Sequence, residues 1–368
     1  MSPRASVALF GLGAAGAVSA ALLSSRDAAS AASQAWPAFA LVAGLLLIGA
    51  VAAREGIFAA AGTLAARVPG GTIALLAALL LLDAAVTAVL NLDTAVVFMT
   101  PVLLQAARRR GIPDAPFLYG SVFMANSASI LLPGSNLTNL IVLRHEHVTG
   151  SEFAARLAPS WVVAVAVTIA FVIVAFRHEL RGRQGREPDR VELRPHVGAV
   201  AIVVVAVLVL LLANPALPVL AVGIVTALLA RLPLGRGFDA LNPALLLGVL
   251  GVAVGLGAFA RNVHWFSTLV DDAGRWQTAG IAAGTALVVN NLPAAVILSA
   301  RLPAHPRALL LGLDLGPNLA VTGSLSAVLW LQVARANAAR PSIPRYTLLG
   351  LVLVPLSLGL TLLTPVRL

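Results

Sequence analysis

Neither cysteine nor lysine occurs anywhere in the 368 residues. Without cysteine there is no disulfide, no thiolate metal site and no thiol nucleophile. Charge itself is scarce, at 11% of residues against roughly 25% in soluble domains. Hydrophobic residues make up 59% of the chain and mean hydropathy is +0.94. Apolar runs recur from Ala5 to Leu363, each close to the ~20 residues that cross a hydrocarbon core. The pattern predicts an all-α polytopic membrane protein with no soluble domain between the runs. The first run, Ala5 to Leu23, is longer than the apolar region of a cleaved leader and counts as a crossing.

The net charge of +10 therefore comes from arginine alone. On a membrane chain such charge reports topology rather than a nucleic-acid partner. Its densest stretch, RHELRGRQGREPDRVELRPH over 177–196, is expected to be a cytoplasmic linker. It divides the sequence into a first transmembrane repeat (1–176) and a second (214–368), with an extra helix at 197–213 that inverts the copy.

Each half carries two interrupted apolar segments in the same order. Thr72 to Leu90 breaks at Asn91-Leu92-Asp93 and resumes, as Thr278 to Val289 breaks at Asn290-Asn291-Leu292-Pro293. Then come FLYGSVFMANSASILLPGSNLTNLIVL and ALLLGLDLGPNLAVTGSLSAVLWL. Arg54 and Arg67 on one side of the first interrupted segment and Arg108 to Arg110 on the other place both its ends inside. The expectation is two opposed re-entrant hairpins, two broken transmembrane helices and about nine full crossings. Arg261, Arg275, Arg301 and Arg307 on the outer side run against this scheme, with Asp271 and Asp272 partly balancing them. Inverted repeats with discontinuous helices mark secondary transporters.

Irregular backbone at membrane depth is tolerated only where it lines a cavity or is buried in protein. Four loci qualify: Asn91 to Thr94, Pro133 to Asn139, Asn290 to Pro293, and Asp314 to Ser324. Their amide and hydroxyl groups donate and accept together; the plainer role is to cap broken helices. Among the acidic residues, Asp83, Asp93 and Asp314 fall inside apolar segments, where an ionisable group is costly and suggests function. Asp93 and Asp314 are the candidates for proton or ion coupling; Asp83 fits an interhelical hydrogen bond as readily as a transport role. His145 and His147, with the other four histidines in loops or at helix ends, form no ligand set. There is no phosphate loop and no catalytic triad, so neither an enzyme nor a self-powered ATPase is expected, and no cofactor.

The stretches NLDTAVVFMTPV, ANSASILLPGSNLTNLIVL, VVNNLPAAVIL and LDLGPNLAVTGSLSAVLWLQVAR resemble the arsenite efflux permeases, or arsenical pump membrane proteins. These belong to the ion transporter superfamily, with sodium/proton antiporters and citrate or dicarboxylate carriers. The resemblance implies a multi-pass plasma-membrane permease that exports arsenite or antimonite, as an antiporter driven by protons or with a cytoplasmic ATPase subunit. A homodimer is open to such a chain. Residue by residue it points to Asn91, Asp93, Thr94, Ser135, Asn136, Thr138, Asn139, Asn290, Asn291, Asn318, Thr322, Gly323 and Ser324 as site residues. Sodium/proton antiport and carboxylate transport are the alternatives on the same scaffold.

Overall fold

The computed structural model describes residues 3–65, 67, 69, 71–143, 148–181, 196–262 and 269–365. Most of the 177–196 linker, and His145, His147 and His264, lie outside the described residues. Every described element is helical. The first helices are α1 (Pro3–Leu23), α2 (Ser25–Arg54), α3 (Ile57–Ala65), α4 (Gly71–Leu90), α5 (Leu92–Arg109), α6 (Ala115–Ala128), α7 (Leu137–Val142) and α8 (Gly150–Ala175). Next are α9 (Val197–Leu211), α10 (Ala216–Leu229), α11 (Leu234–Leu241) and α12 (Pro243–Asn262). The remainder are α13 (Arg275–Val289), α14 (Asn291–Leu298), α15 (Pro306–Leu315), α16 (Leu325–Ala336) and α17 (Ile343–Leu362).

α2 starts well before the apolar stretch that begins at Trp36. The residues SRDAASAASQ are polar but rich in alanine, the best helix former, and the Ser24 hydroxyl caps the helix by accepting the Asp27 N–H at 3.3 Å. Among the described residues, five helices are long and apolar enough to cross a membrane by length and composition: Ser25–Arg54, Gly71–Leu90, Gly150–Ala175, Leu234–Arg261 and Ile343–Leu362. Gly71–Leu90 is thus long enough to span, although the charge pattern casts it as one arm of a hairpin.

Helices from the two halves of the chain pack against each other through glycine. A Cβ on Gly13 of α1 would strike the backbone of Gly248 in α12, and one on Gly251 would strike Gly13. In the same way Gly44 of α2 lies against Val219 and Leu220 of α10, and Gly223 against Gly44. Small residues allow this backbone approach where no hydrophobic drive joins helices in lipid.

An aromatic cluster secures the chain around the second break. Tyr119 lies 5.5 Å from Trp330, Trp330 5.6 Å from Tyr346, and Phe123 5.0 Å from Tyr346, centroid to centroid. Their polar ends find partners, as buried Tyr and Trp usually do: Trp330 Nε1 donates to the Leu118 carbonyl at 2.8 Å and the Tyr346 hydroxyl to that of Pro317 at 2.9 Å. Two of the arginines at odds with the charge scheme are held by helices. Arg307 donates to Ser160 Oγ (2.9 Å), the Thr361 carbonyl (2.7 Å) and Thr364. Arg261 donates to the Gly257 carbonyl (2.7 Å) and to Gln34.

Candidate functional site

In each half, among the described helix pairs joined through a single residue, one turns at an asparagine with φ above 70°. Between α4 and α5 that residue is Asn91 (φ 91°, ψ 165°), and between α13 and α14 it is Asn290 (φ 76°, ψ 151°). Positive φ is rare except in glycine, with asparagine among the few side chains that tolerate it. Both asparagines also cap the following helix: Asn91 Oδ1 accepts the Thr94 N–H at 2.8 Å and Asn290 Oδ1 the Leu292 N–H at 3.4 Å. The sequence suggested a tip of three residues at Asn91 to Asp93; the break is Asn91 alone, and Asp93 sits in the first turn of α5.

The two broken segments match each other as well. After α6 the chain passes through a 3₁₀ turn (Pro133–Ser135) and extends at Asn136 (φ −146°, ψ 139°) before α7. After α15 it passes through two 3₁₀ turns and extends at Ser324 (φ −142°, ψ 152°) before α16. Asn136 Oδ1 accepts the Thr138 N–H at 3.2 Å and Ser324 Oγ the Ala327 N–H at 3.2 Å.

The first turns of these four capped helices line one cavity of about 230 Å³. Leu92 and Asp93 come from α5, Leu137 from α7, Asn291 to Pro293 from α14, and Leu325 and Ser326 from α16; the caps Asn136 and Asn290 join them. Apolar residues such as Phe39, Leu246, Val249 and Val289 complete the wall. No described lining residue is basic. The N-terminal ends of α5, α14 and α16 direct partial positive charge and unpaired N–H groups toward the space. Asp93 supplies the acidic group, and Ser326 Oγ donates to its Oδ1 at 2.5 Å.

Asp314 does not line the cavity. It is fully buried behind Asn136, whose Nδ2 donates to Asp314 Oδ1 at 2.8 Å; Thr138 Oγ1 donates to the same oxygen at 2.6 Å. This ties the break in the first half to α15 in the second. Asn136 Nδ2 also reaches Ser129 Oγ at 3.2 Å. Ser135 and Asn139 close the turn on itself: Ser135 Oγ donates to the carbonyls of Ser129 and Leu132, and Asn139 Nδ2 to those of Ser129 (2.8 Å) and Leu132 (3.1 Å).

Other residues singled out in the sequence are placed elsewhere. Asn318 is locked against α6, accepting from Asn126 Nδ2 (2.9 Å) and donating to the Phe123 carbonyl (3.2 Å) and Ser127 Oγ (3.1 Å). Thr322 is exposed and donates to the Leu287 carbonyl at 3.2 Å. Gly323 packs on Pro317, where a Cβ would come within 2.7 Å of its Cα. Thr94 is buried with its methyl toward Gly49.

Residues not anticipated from sequence are Ser326, Ser129 and Asn126. Ser326 stood two positions past the Ser324 cap, where a first-turn residue faces whatever the helix end faces. Nothing in the order of residues signals that Ser326 meets Asp93 across 233 positions.

The fold is similar to that in the crystal structure of the Alcanivorax borkumensis YdaH transporter, with a TM-score of 0.57 over 91% of this chain and 86% of that one, at 14% identity. An arsenical pump membrane protein of Escherichia coli is 26% identical, covering 81% of this chain and 78% of the relative. An uncharacterised transporter of Mycobacterium tuberculosis (strain ATCC 25618 / H37Rv) is 25% identical, covering 88% and 84%. Residues 2–322 match the family described as citrate transporters (CitMHS), and the chain belongs to that family as an integral membrane transporter.

Proposed function

We propose that this transporter exports arsenite and antimonite by alternating access, coupled to proton entry, with the 230 Å³ cavity as its cargo site. The observation that carries the reading is the lining: four polar side chains that can be neutral donors or acceptors, one carboxyl and no described basic group. Arsenite near neutral pH is As(OH)₃, an uncharged polyol. Amides and hydroxyls can bind it without burying charge. Asn136, Asn290, Asn291 and Ser326 are then the direct cargo contacts. Asn91, Ser135, Thr138, Asn139 and Ser324 hold the helix ends that present them. The names of the E. coli relatives favour this cargo.

Asp93, in the cavity, and Asp314, one hydrogen bond behind it, are the coupling carboxyls of this scheme. The moving parts are the repeats 1–176 and 214–368 around the helix at 197–213, with Asn91 and Asn290 as the tips of two re-entrant hairpins. Support for the first hairpin comes from α3, which lies against both arms: Phe58 stacks on Phe98 at 5.2 Å, and Ala65 is six residues from the start of α4. The 177–196 linker on the cytoplasmic face of the plasma membrane offers a basic surface to an ATPase subunit.

The second reading, carboxylate transport, is favoured by the converging ends of α5, α14 and α16 and by the family description. Against it, no described lining residue is the cationic side chain that a citrate-like anion calls for. The test is expression in an arsenic-sensitive bacterium. Restored growth on arsenite and antimonite is expected; unchanged sensitivity together with growth on citrate as carbon source overturns the proposal.

A further inference from the structure

Four buried side chains around the tip of α4 carry polar atoms without a hydrogen-bond partner among the described residues: both carboxyl oxygens of Asp83, Thr87 Oγ1, Asn91 Nδ2 and Thr94 Oγ1. All four residues are completely buried. Native proteins leave few such groups, and each calls for a reason. Three of them, Asp83, Thr87 and Asn91, recur at intervals of four. The helical ladder is unbroken along them, since the Asn91 N–H still donates to the Thr87 carbonyl at 3.0 Å. Residues four apart on a helix are neighbours on its surface. The result is a polar stripe inside an apolar helix, running from Asp83 to the residue that caps α5, whose first turn bears Asp93.

We propose that this stripe is a proton relay, with Asp83 as a proton-binding site that serves the cavity through Thr87 and Asn91. The assignment rests on the proton-coupled reading above. An ionised carboxylate with no counter-charge is costly in such surroundings. None of the described charged and titratable side chains on elements packed against α4 pairs with Asp83. Arg54 of α2 donates to the Ala230 and Arg231 carbonyls, Asp93 of α5 accepts from Ser326, and Arg108 binds Asp114 at 2.5 Å. Tyr119 of α6 exchanges hydrogen bonds with Ser342, and Glu152 of α8 accepts from Thr149. Arg26 and Asp27 of α2, Arg109 of α5 and Arg156 of α8 make no salt bridge with Asp83. What Asp83 can exchange is therefore a proton, with Thr87 one turn on as a hydroxyl able to accept and donate in sequence. A sodium ion asks for about six oxygen ligands, and the continuous helix at Asp83 frees no carbonyls to supply them.

Two measurements test this. In everted vesicles, Asp83→Asn keeps the shape of the carboxyl but not its exchangeable proton. It is expected to lower proton-driven arsenite accumulation at least tenfold while arsenite/arsenite exchange without a gradient stays within twofold. Asp83→Glu is expected to restore part of the accumulation, and Thr87→Val to slow it. Undiminished accumulation by Asp83→Asn overturns the proposal, as does a parallel loss of exchange. The second readout needs no cargo: infrared pH-difference spectra of the purified protein should contain a protonated-carboxyl band that Asp83→Asn removes. Its absence overturns the relay. The band together with vesicles that ignore arsenite would uphold Asp83 as a proton site while refuting arsenite as cargo.

Discussion

Ser326→Ala removes the hydroxyl that donates to Asp93 at 2.5 Å. A hydrogen bond to a charged group contributes roughly 1.5–3 kcal/mol, and removing one partner leaves the other to bear its desolvation. Asp93 is 7% exposed and borders a cavity, which allows some rehydration, so about 2 kcal/mol is the appropriate figure within that range. At ~1.4 kcal/mol per factor of ten this is about a thirtyfold change in the folded equilibrium. The bond joins the first turn of α5 to the first turn of α16 across the two halves, so the cost should appear as looser assembly of the halves. Unfolding of the purified protein in mixed micelles, by graded addition of a denaturing detergent, measures it in Ser326→Ala, Asp93→Ala and the double variant. The double variant is expected to lose little more than the worse single one, for a coupling of about 1.5–2 kcal/mol. Losses that add to within ~0.5 kcal/mol would show the two residues to be independent and refute the reasoning.

Gly350→Ala would drive a methyl into the Asn318 carbonyl and to 2.8 Å from the Leu319 Cα, backbone that cannot swing away. A loss of roughly 1–3 kcal/mol is expected, seen as a smaller monodisperse fraction after heating. Gly280→Ala in α13 meets nothing within 4 Å and should be neutral or up to ~1 kcal/mol stabilising in the same measurement. At Asn290, with φ at 76°, glycine and alanine both lose the cap, the bond to the Thr322 carbonyl and the cargo contact, and alanine alone adds backbone strain of about 1–3 kcal/mol. Initial uptake rates should therefore rank wild type, then Asn290→Gly, then Asn290→Ala; equal rates for the two variants would remove strain from the account.

The helices and their breaks were legible because membrane depth punishes irregular backbone, so GSNLTN and GPNLAVTGS stand out in apolar runs. Asn91 and Asn290 could be paired from their order, and their matching positive φ has a local cause that sequence can suggest. Partners across the halves could not. Asn136 meeting Asp314, and Asp93 meeting Ser326, join residues 178 and 233 positions apart, and no periodicity encodes such pairs. Asn318 lies in the stretch GPNLAVTGS, and what sequence does not tell is that its amide hydrogen-bonds Phe123, Ser127 and Asn126. The early start of α2 is invisible to hydropathy, which registers apolarity, because its first turns depend on alanine and a serine cap. Arg261 looked misplaced for the same reason, since charge counting does not see Gln34 waiting for it on α2.

The central claim is that the cavity at the four helix ends carries arsenite in exchange for protons. Uptake of radiolabelled arsenite by everted vesicles, with and without an imposed proton gradient and with citrate as competitor, tests it most directly. The account predicts gradient-dependent accumulation that excess citrate leaves unchanged and that Asn136→Ala or Asn291→Ala reduces at least tenfold. Accumulation of labelled citrate with none of arsenite would contradict it.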